Sequence, residues 1–284
     1  MSGDTGTRFA SGKLVMLLAR DLPGELARLH VVHCAELAPL TVTQPRHTAR
    51  LAEWITMERS LRHPLLACSF PEVTVVLDGN TRLAAARLLQ LPDILVQKIP
   101  YEFVPDPLRL PAMLAVGVAR EDVERVLEDG FVRVERPPSD ALVVHLPGGE
   151  IRALVADGIQ PRGLWDTFKR IITALQSTSD VEPLSGAAAG LRLASIEPHS
   201  ALIVPPPLPM AVMKHLALRG TLLPWGSLQA PFPRRILGIN LSLAVLKAAE
   251  APEEKTDFVR DLVRLRLSEH KVHFYDAPVY LFEP

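Results

Sequence analysis

The chain has 284 residues and a mass of 31.2 kDa, enough for one large domain or two modest ones, each with its own core. Hydrophobic residues at 48% and charged residues at 22% exclude wholesale disorder, and a formal net charge of −1 offers no general attraction for a nucleic acid. No uninterrupted apolar run is long enough to span a bilayer, the stretch MSGDTGTRFASGK lacks the basic-then-apolar order of a secretion signal, and Cys34 and Cys68 fit neither a disulfide framework nor a metal-ligand spacing, so a cytoplasmic protein with no membrane partner is expected.

In chain order, residues 1–12 are small and polar and read as a lead-in. Leu14–Leu18 and Arg28–Cys34 read as strands, Ala35–Thr43 as a loop, and Thr43 as the cap of a helix from Pro45 to Leu61. Leu51, Trp54, Ile55 and Leu61 form the apolar stripe of that helix. HPLLACSF and VTVVL are strands around a Pro71-Glu72 turn, residues 81–90 a helix, and ILVQKIPY a further strand.

PDPLRLP then reads as a linker, REDVERVLEDG as a short helix ended by Gly130, and the stretch that follows as three strands with a hairpin at Gly148-Gly149. Leu164, Phe168, Ile171, Ile172 and Leu175 recur at helical spacing and predict a helix over 162–176. A strand, a proline break and a helix follow in SALIVPPPLPMAVMKHLALRG, then a strand in RRILGINL, an amphipathic helix over 253–268, and one bent or two short strands in KVHFYDAPVYLF. The 26 prolines, about 9% of the chain and roughly twice the usual share, fit many fixed turns between short elements. The expected fold class is α+β, with a mixed unit over 13–104 and a second mixed α/β domain over 105–284.

The strand-to-helix seam Asp78-Gly79-Asn80-Thr81-Arg82 carries the clearest chemical signal. A helix N-terminus presents unpaired amide hydrogens and partial positive charge, and Gly79 lets a ligand approach the backbone closely. Thr81 adds a hydroxyl and Arg82 a forked cation suited to phosphate oxygens. Asp78 beside a phosphate is repulsive unless a metal ion or a substrate proton lies between them. The same residues also fit a plain helix cap with a solvated arginine.

Across RHPLLACSFPEVTVVLDGNTRLAAARLLQLPDILVQKIPY the sequence resembles the ParB/sulfiredoxin-like fold, in which a strand, a DGHHR-like turn and a helix bind nucleotide phosphates. Within it the chain is most similar to the free L-serine kinase group, which includes members serving siderophore biosynthesis. The resemblance extends to ALIVPPPLPMAVMKHLALRGTLLPWG and FPRRILGINLSL, so it covers about 65–105 and 200–243.

The resemblance implies a nucleotide-binding domain over 13–104 and a substrate-binding domain over 105–284. Gly79, Asn80, Thr81 and Arg82 would hold the phosphates of ATP or ADP, and Asp78 would act near Mg2+ or the acceptor hydroxyl. The implied function is a nucleotide-dependent kinase of a free amino acid or similar small hydroxylated metabolite, in a biosynthetic pathway.

Three departures stand against it. Pro39-Leu40-Thr41 replaces the family's Pro-His-Glu, so Thr41 stands where a base is expected; DGNTR has lost both histidines; and Ser227-Leu228-Gln229 replaces a Thr-Arg-His segment. Thr41 and Ser227 are the substrate-side candidates by position. Arg234 and Arg235 are candidate anchors for a substrate carboxylate or phosphate, or else a solvated strand end.

His63 before Pro64 reads as a turn residue, and the scattered histidines predict no zinc site. The alternatives are a catalytically degenerate nucleotide or metabolite sensor and a ParB-like DNA-binding protein. The near-neutral charge and the strands after residue 104 argue against the latter.

Overall fold

The computed structural model of the protein describes residues 24–127, 130–155, 161–184, 199–228, 235–269, 271–275 and 279–282; the strand expected over 14–18 lies outside them. Strands β1 (Leu29–His33), β2 (Leu37–Pro39), β4 (Leu65–Ser69), β5 (Thr74–Asp78) and β6 (Asp93–Ile99) build a five-stranded sheet in the order β1-β6-β4-β5-β2. Pairs β6/β4 and β5/β2 are parallel, and β1/β6 and β4/β5 antiparallel.

Successive side chains alternate between the two faces of this sheet. Leu66, Cys68, Val75 and Leu77 join one apolar core, while Leu65, Ala67 and Val76 join another. Burial on both faces explains why these strands read as unbroken apolar runs.

Helix α1 (Pro45–Glu58) starts with proline at its first turn, where the missing amide hydrogen costs nothing, and ends at Arg59 with φ 52°. Its N-cap is Gln44, not the expected Thr43, and it stops short of Leu61, which lies in β3 (Ser60–Leu61). Trp54 is not on the buried stripe: it is 57% exposed, while Thr48, Ala52 and Ile55 face inward. Helix α1 packs against α2 (Asn80–Leu88), with Ala52 in the same core as Ala85 and Ala86. The expected loop over 35–43 contains β2, whose Pro39 is tolerated because β2 is an edge strand.

The segment read as a linker is bridged into the fold. Leu108 is buried and exchanges two backbone hydrogen bonds with Leu208, and Asp106 Oδ1 accepts from Met210 N at the start of α5 (Met210–Leu218). The second sheet has the order β11-β7-β12-β9-β10-β8, every pair antiparallel. Its strands are β7 (Ala112–Val116), β8 (Val132–Arg133), β9 (Leu142–His145), β10 (Ile151–Leu154), β11 (Asp180–Leu184) and β12 (Ser200–Val204).

Helix α3 (Arg120–Val126) is tied to the β10 end of the sheet by an Arg120, Glu124, Glu150 and Arg152 network. Helix α4 (Pro161–Leu175) buries Leu164, Trp165, Phe168, Ile171, Ile172 and Leu175 in the core it shares with one face of the first sheet.

The end of the chain returns to the other face. Strand β13 (Arg235–Leu237), β14 (Leu241–Ser242), α6 (Leu243–Lys247) and α7 (Pro252–Ser268) place Ile236, Ile239, Leu241, Leu246, Val259 and Val263 in the core that also holds Leu29, Val76 and Val96. KVHFYDAPVYLF forms two strands, β15 (Val272–Tyr275) and β16 (Val279–Phe282), paired antiparallel with each other, β16 lying parallel to β13. The described residues after 104 thus contribute to the cores on both faces of the first sheet. Among the described residues no helix is long and apolar enough to cross a membrane.

Candidate functional site

Strand β5 ends on Asp78, and Gly79 then takes φ +95° as the N-cap of α2, with no side chain capping the helix. A Cβ at this position would lie 3.0 Å from Leu65 Cγ and 3.0 Å from both Cζ and Nη2 of Arg82. Only glycine combines that backbone with that space. Side chains on a helix lean toward its N-terminus, which carries the Arg82 guanidinium back over Gly79.

Arg82 Nη2 donates to Asp78 Oδ2 at 2.6 Å, and Nη1 donates to the carbonyls of His63, at 3.0 Å, and of Pro64. Arg235 Nη2, from β13, reaches the same Asp78 oxygen at 2.7 Å. The Asp78 side chain is 42% exposed, against 17% for Arg82 and 16% for Arg235. Burial pushes the Asp78 carboxyl up, but the charges and hydrogen bonds of Arg82 and Arg235 outweigh it and hold the group below its ordinary range. Two guanidinium groups against one carboxylate leave a positive surplus at the open end of α2, which an anion would complete.

The expected site residues converge through the backbone. Asn80 is buried, and its Oδ1 accepts from Leu40 N at 2.9 Å while its Nδ2 donates to Val76 O at 3.3 Å. Its amide therefore joins the 78–82 turn to the segment that carries Thr41, and its backbone N–H is what it offers a ligand. Thr41 is buried and bridges Leu223, with Val42 N donating to Leu223 O and Leu223 N to Leu40 O.

That bridge brings the Thr41 position beside the 223–227 turn. Ser227 is fully buried there, its Oγ donating to Pro224 O at 2.7 Å. Thr81 is half-buried in the first turn of α2. Arg234 and Gln229 lie outside the described residues.

His63 belongs to this cluster, although the sequence reads as a plain turn there. Its Nδ1 accepts from Gly238 N at 2.9 Å, beyond β13. Burial, reinforced by Arg82, Arg62 and Arg235 and opposed by Asp78, pulls its pKa down to about 4. The one available signal was its place next to Pro64 in RHPLL, directly before the strand that lines the turn. The two cysteines stand apart from such chemistry: burial foremost pushes both thiols up to about 11.

A metal ion at Asp78 would have no ready-made protein cage, since no group of three His, Cys, Asp or Glu side chains suited to a metal occurs among the described residues. Asp78 Oδ2 is engaged by both guanidinium groups, so Oδ1 alone would be left for magnesium, which takes one or two protein carboxylates and completes its shell with water and phosphate oxygens.

The fold is a mixed α/β fold shared with SbnI and with free serine kinases of known structure. The chain is similar to SbnI from Staphylococcus aureus, solved with a C-terminal truncation, at 15% identity and a TM-score of 0.73, over 86% of this chain and 98% of that one. It is also similar to a free serine kinase in complex with AMP, at 13% identity and a TM-score of 0.57, over 77% and 93% of the two chains. A conserved hypothetical protein from Pyrococcus furiosus superposes with a TM-score of 0.56 at 14% identity, over 77% and 97%. At these identities the likeness is one of fold. No family model matches the chain, and no curated protein matches its sequence.

Proposed function

We propose that the protein binds ATP or ADP with its phosphates on the N-terminal turn of α2, and transfers a phosphoryl group to a free amino acid or similar small hydroxylated metabolite. The observation that carries this reading is the convergence at one open helix end. Asp78, Arg82 and Arg235 share an ion-paired cluster there, and Asn80 and the Thr41–Leu223 bridge draw in the remaining segments. Fold neighbours solved with AMP and ADP support the choice of ligand.

Gly79, Thr81 and the first-turn amides hold phosphate oxygens in this reading. Arg235, whose guanidinium hydrogen-bonds only to Asp78 among the described residues, neutralises the transferring group, and Arg82 braces the turn from beneath. Asp78 would hold magnesium, which would offset phosphate charge. Phosphoryl transfer needs mainly alignment and charge neutralisation, and a positioned base adds typically about 10² to 10⁴ in rate.

Titration calorimetry with ADP and ATP, with and without magnesium, should show binding that Arg235→Ala weakens. Mass spectrometry of reactions with a panel of amino acids and small alcohols should show a phosphorylated product that Asp78→Ala abolishes. Absence of nucleotide binding would end this reading.

A second reading, a nucleotide sensor without turnover, is favoured by the substrate side. Thr41 provides no carboxylate, and the Ser227 hydroxyl is buried in its own turn. Tight nucleotide binding with no product from any acceptor would select it.

A further inference from the structure

We propose that His63 is a nucleotide-binding residue, donating a hydrogen bond from Nε2 to a phosphate oxygen; the inference rests on the phosphate site proposed above. Its backbone is fixed first. The His63 and Pro64 carbonyls both accept from Arg82 Nη1, so the residue is held against the first turn of α2. Its ring is fixed next, because Nδ1 accepts the Gly238 N–H at 2.9 Å.

An imidazole nitrogen that accepts from a backbone amide carries a lone pair and no proton, so the neutral ring keeps its hydrogen on Nε2. Nε2 makes no hydrogen bond among the described residues and is not among the fully buried polar atoms left without partners, so it keeps some exposure to solvent. The ring is only half-buried, and the charges of Arg82, Arg62, Arg235 and Asp78 all act on it.

Burial first, and then the charges of Arg82, Arg62 and Arg235 against the opposing Asp78, keep the ring neutral at physiological pH. His63 is thus a directional N–H donor and not a cation, and it cannot serve as the base for an acceptor hydroxyl, since one nitrogen is protonated and the other is engaged. The two guanidinium groups supply charge to the site; His63 supplies a fixed direction for one phosphate oxygen, and neither Asp78 nor the lost histidines of the DGNTR turn can do that.

Two variants separate this role from simple support of the 238 turn. Asparagine places an acceptor near the position of Nδ1, and glutamine places a donor near the position of Nε2. His63→Asn should keep the acceptor for Gly238, and with it a melting temperature near that of the parent, yet lose about tenfold or more in ADP affinity, the usual consequence of removing a hydrogen bond to a charged group. His63→Gln should melt earlier while holding ADP within about threefold of the parent, well inside that loss.

ADP affinity that follows the melting temperature in both variants, or His63→Asn binding ADP like the parent, overturns the role of His63 and leaves the phosphate site standing. If the parent protein itself binds neither ADP nor ATP, the site fails and this inference fails with it. Ring 15N shifts of the free protein should show Nδ1 unprotonated at neutral pH; a proton on Nδ1 would also overturn the assignment.

Discussion

The seam after β5 depends on one missing side chain. At Gly79 a Cβ would meet Leu65 and the Arg82 guanidinium at 3.0 Å, on a backbone with φ +95° that side chains rarely adopt. Arg82 can yield a little, being the far end of a flexible side chain, but Leu65 is packed in the core and the backbone cannot relax without moving Asp78. Gly79→Ala should therefore cost about 1–3 kcal/mol of stability, read by urea denaturation, and weaken nucleotide binding more than a neutral surface change does. An unchanged midpoint would mean that the turn has room that the geometry denies.

At this scale the sequence was informative about position and less so about occupation. DGNTR announces a tight, anion-ready turn because glycine, the helix start and the arginine are all local features. That the Asn80 amide would be spent on Leu40, 40 positions earlier, depends on which strand lies alongside, and no local pattern encodes that.

Among the elements, α7 has the most to lose from a single change. It packs on edge strand β1, and Thr256 Oγ1 accepts the Val31 amide that the sheet leaves unpaired on that side. Beside it Lys255 is almost fully buried, its Nζ donating to Asp93 Oδ2 at the start of β6 and to Ala248 O at 2.7 Å, while Asp93 Oδ1 also meets His33 Nδ1 at 2.6 Å. Lys255→Met strips Asp93 of its charge partner and should cost about 3–5 kcal/mol; adding Asp93→Asn should recover much of that, because the larger part of the penalty is the stranded carboxylate.

Chemical denaturation of the two variants tests this, and equal instability of single and double variants would place the loss in packing instead. The amphipathic pattern over 253–268 made this helix legible in the sequence, and Val259 and Val263 are among its buried positions. Its docking partner was not, since a buried lysine in a run of charged residues looks like any solvated one until its aspartate, 162 positions away, is known.

The first sheet is the common wall of both cores, filled from one side by described residues between 104 and 228 and from the other by α1, α2 and described residues between 236 and 263. Periodicity located most of the strands and helices, the local residues of DGNTR located the turn, and the resemblance added its implied ligand. The return of the C-terminal segment was hidden because pairing across such separations leaves no periodic trace.

Closing the chain around one sheet also buries titratable groups in one direction, which sets the response to pH. Burial, with Lys98 and Arg260, lowers His30; burial lowers His145; and His63 sits at about 4. Asp78 is also held low by its arginines, which outweigh its burial. For each of these the unfolded chain takes up a proton first as the pH falls, so their stabilisation is intact above the unfolded histidine value of about 6.5 and drains away below it, the carboxylate share following below about 4.

Cys34 and Cys68 act oppositely. Their thiols are raised to about 11, so the unfolded chain ionises first, and stability falls as the pH climbs from about 9 toward 11. Melting temperature against pH should show a plateau from about 6.5 to about 8.5, bounded by these two declines. His63→Gln should flatten the acid limb between about 6.5 and 4, because the variant has no ring to protonate, and Cys68→Ala should flatten the alkaline limb. An acid limb of unchanged slope in His63→Gln would show that the ring is not held neutral, and that the positive cluster around Asp78 does not act on it.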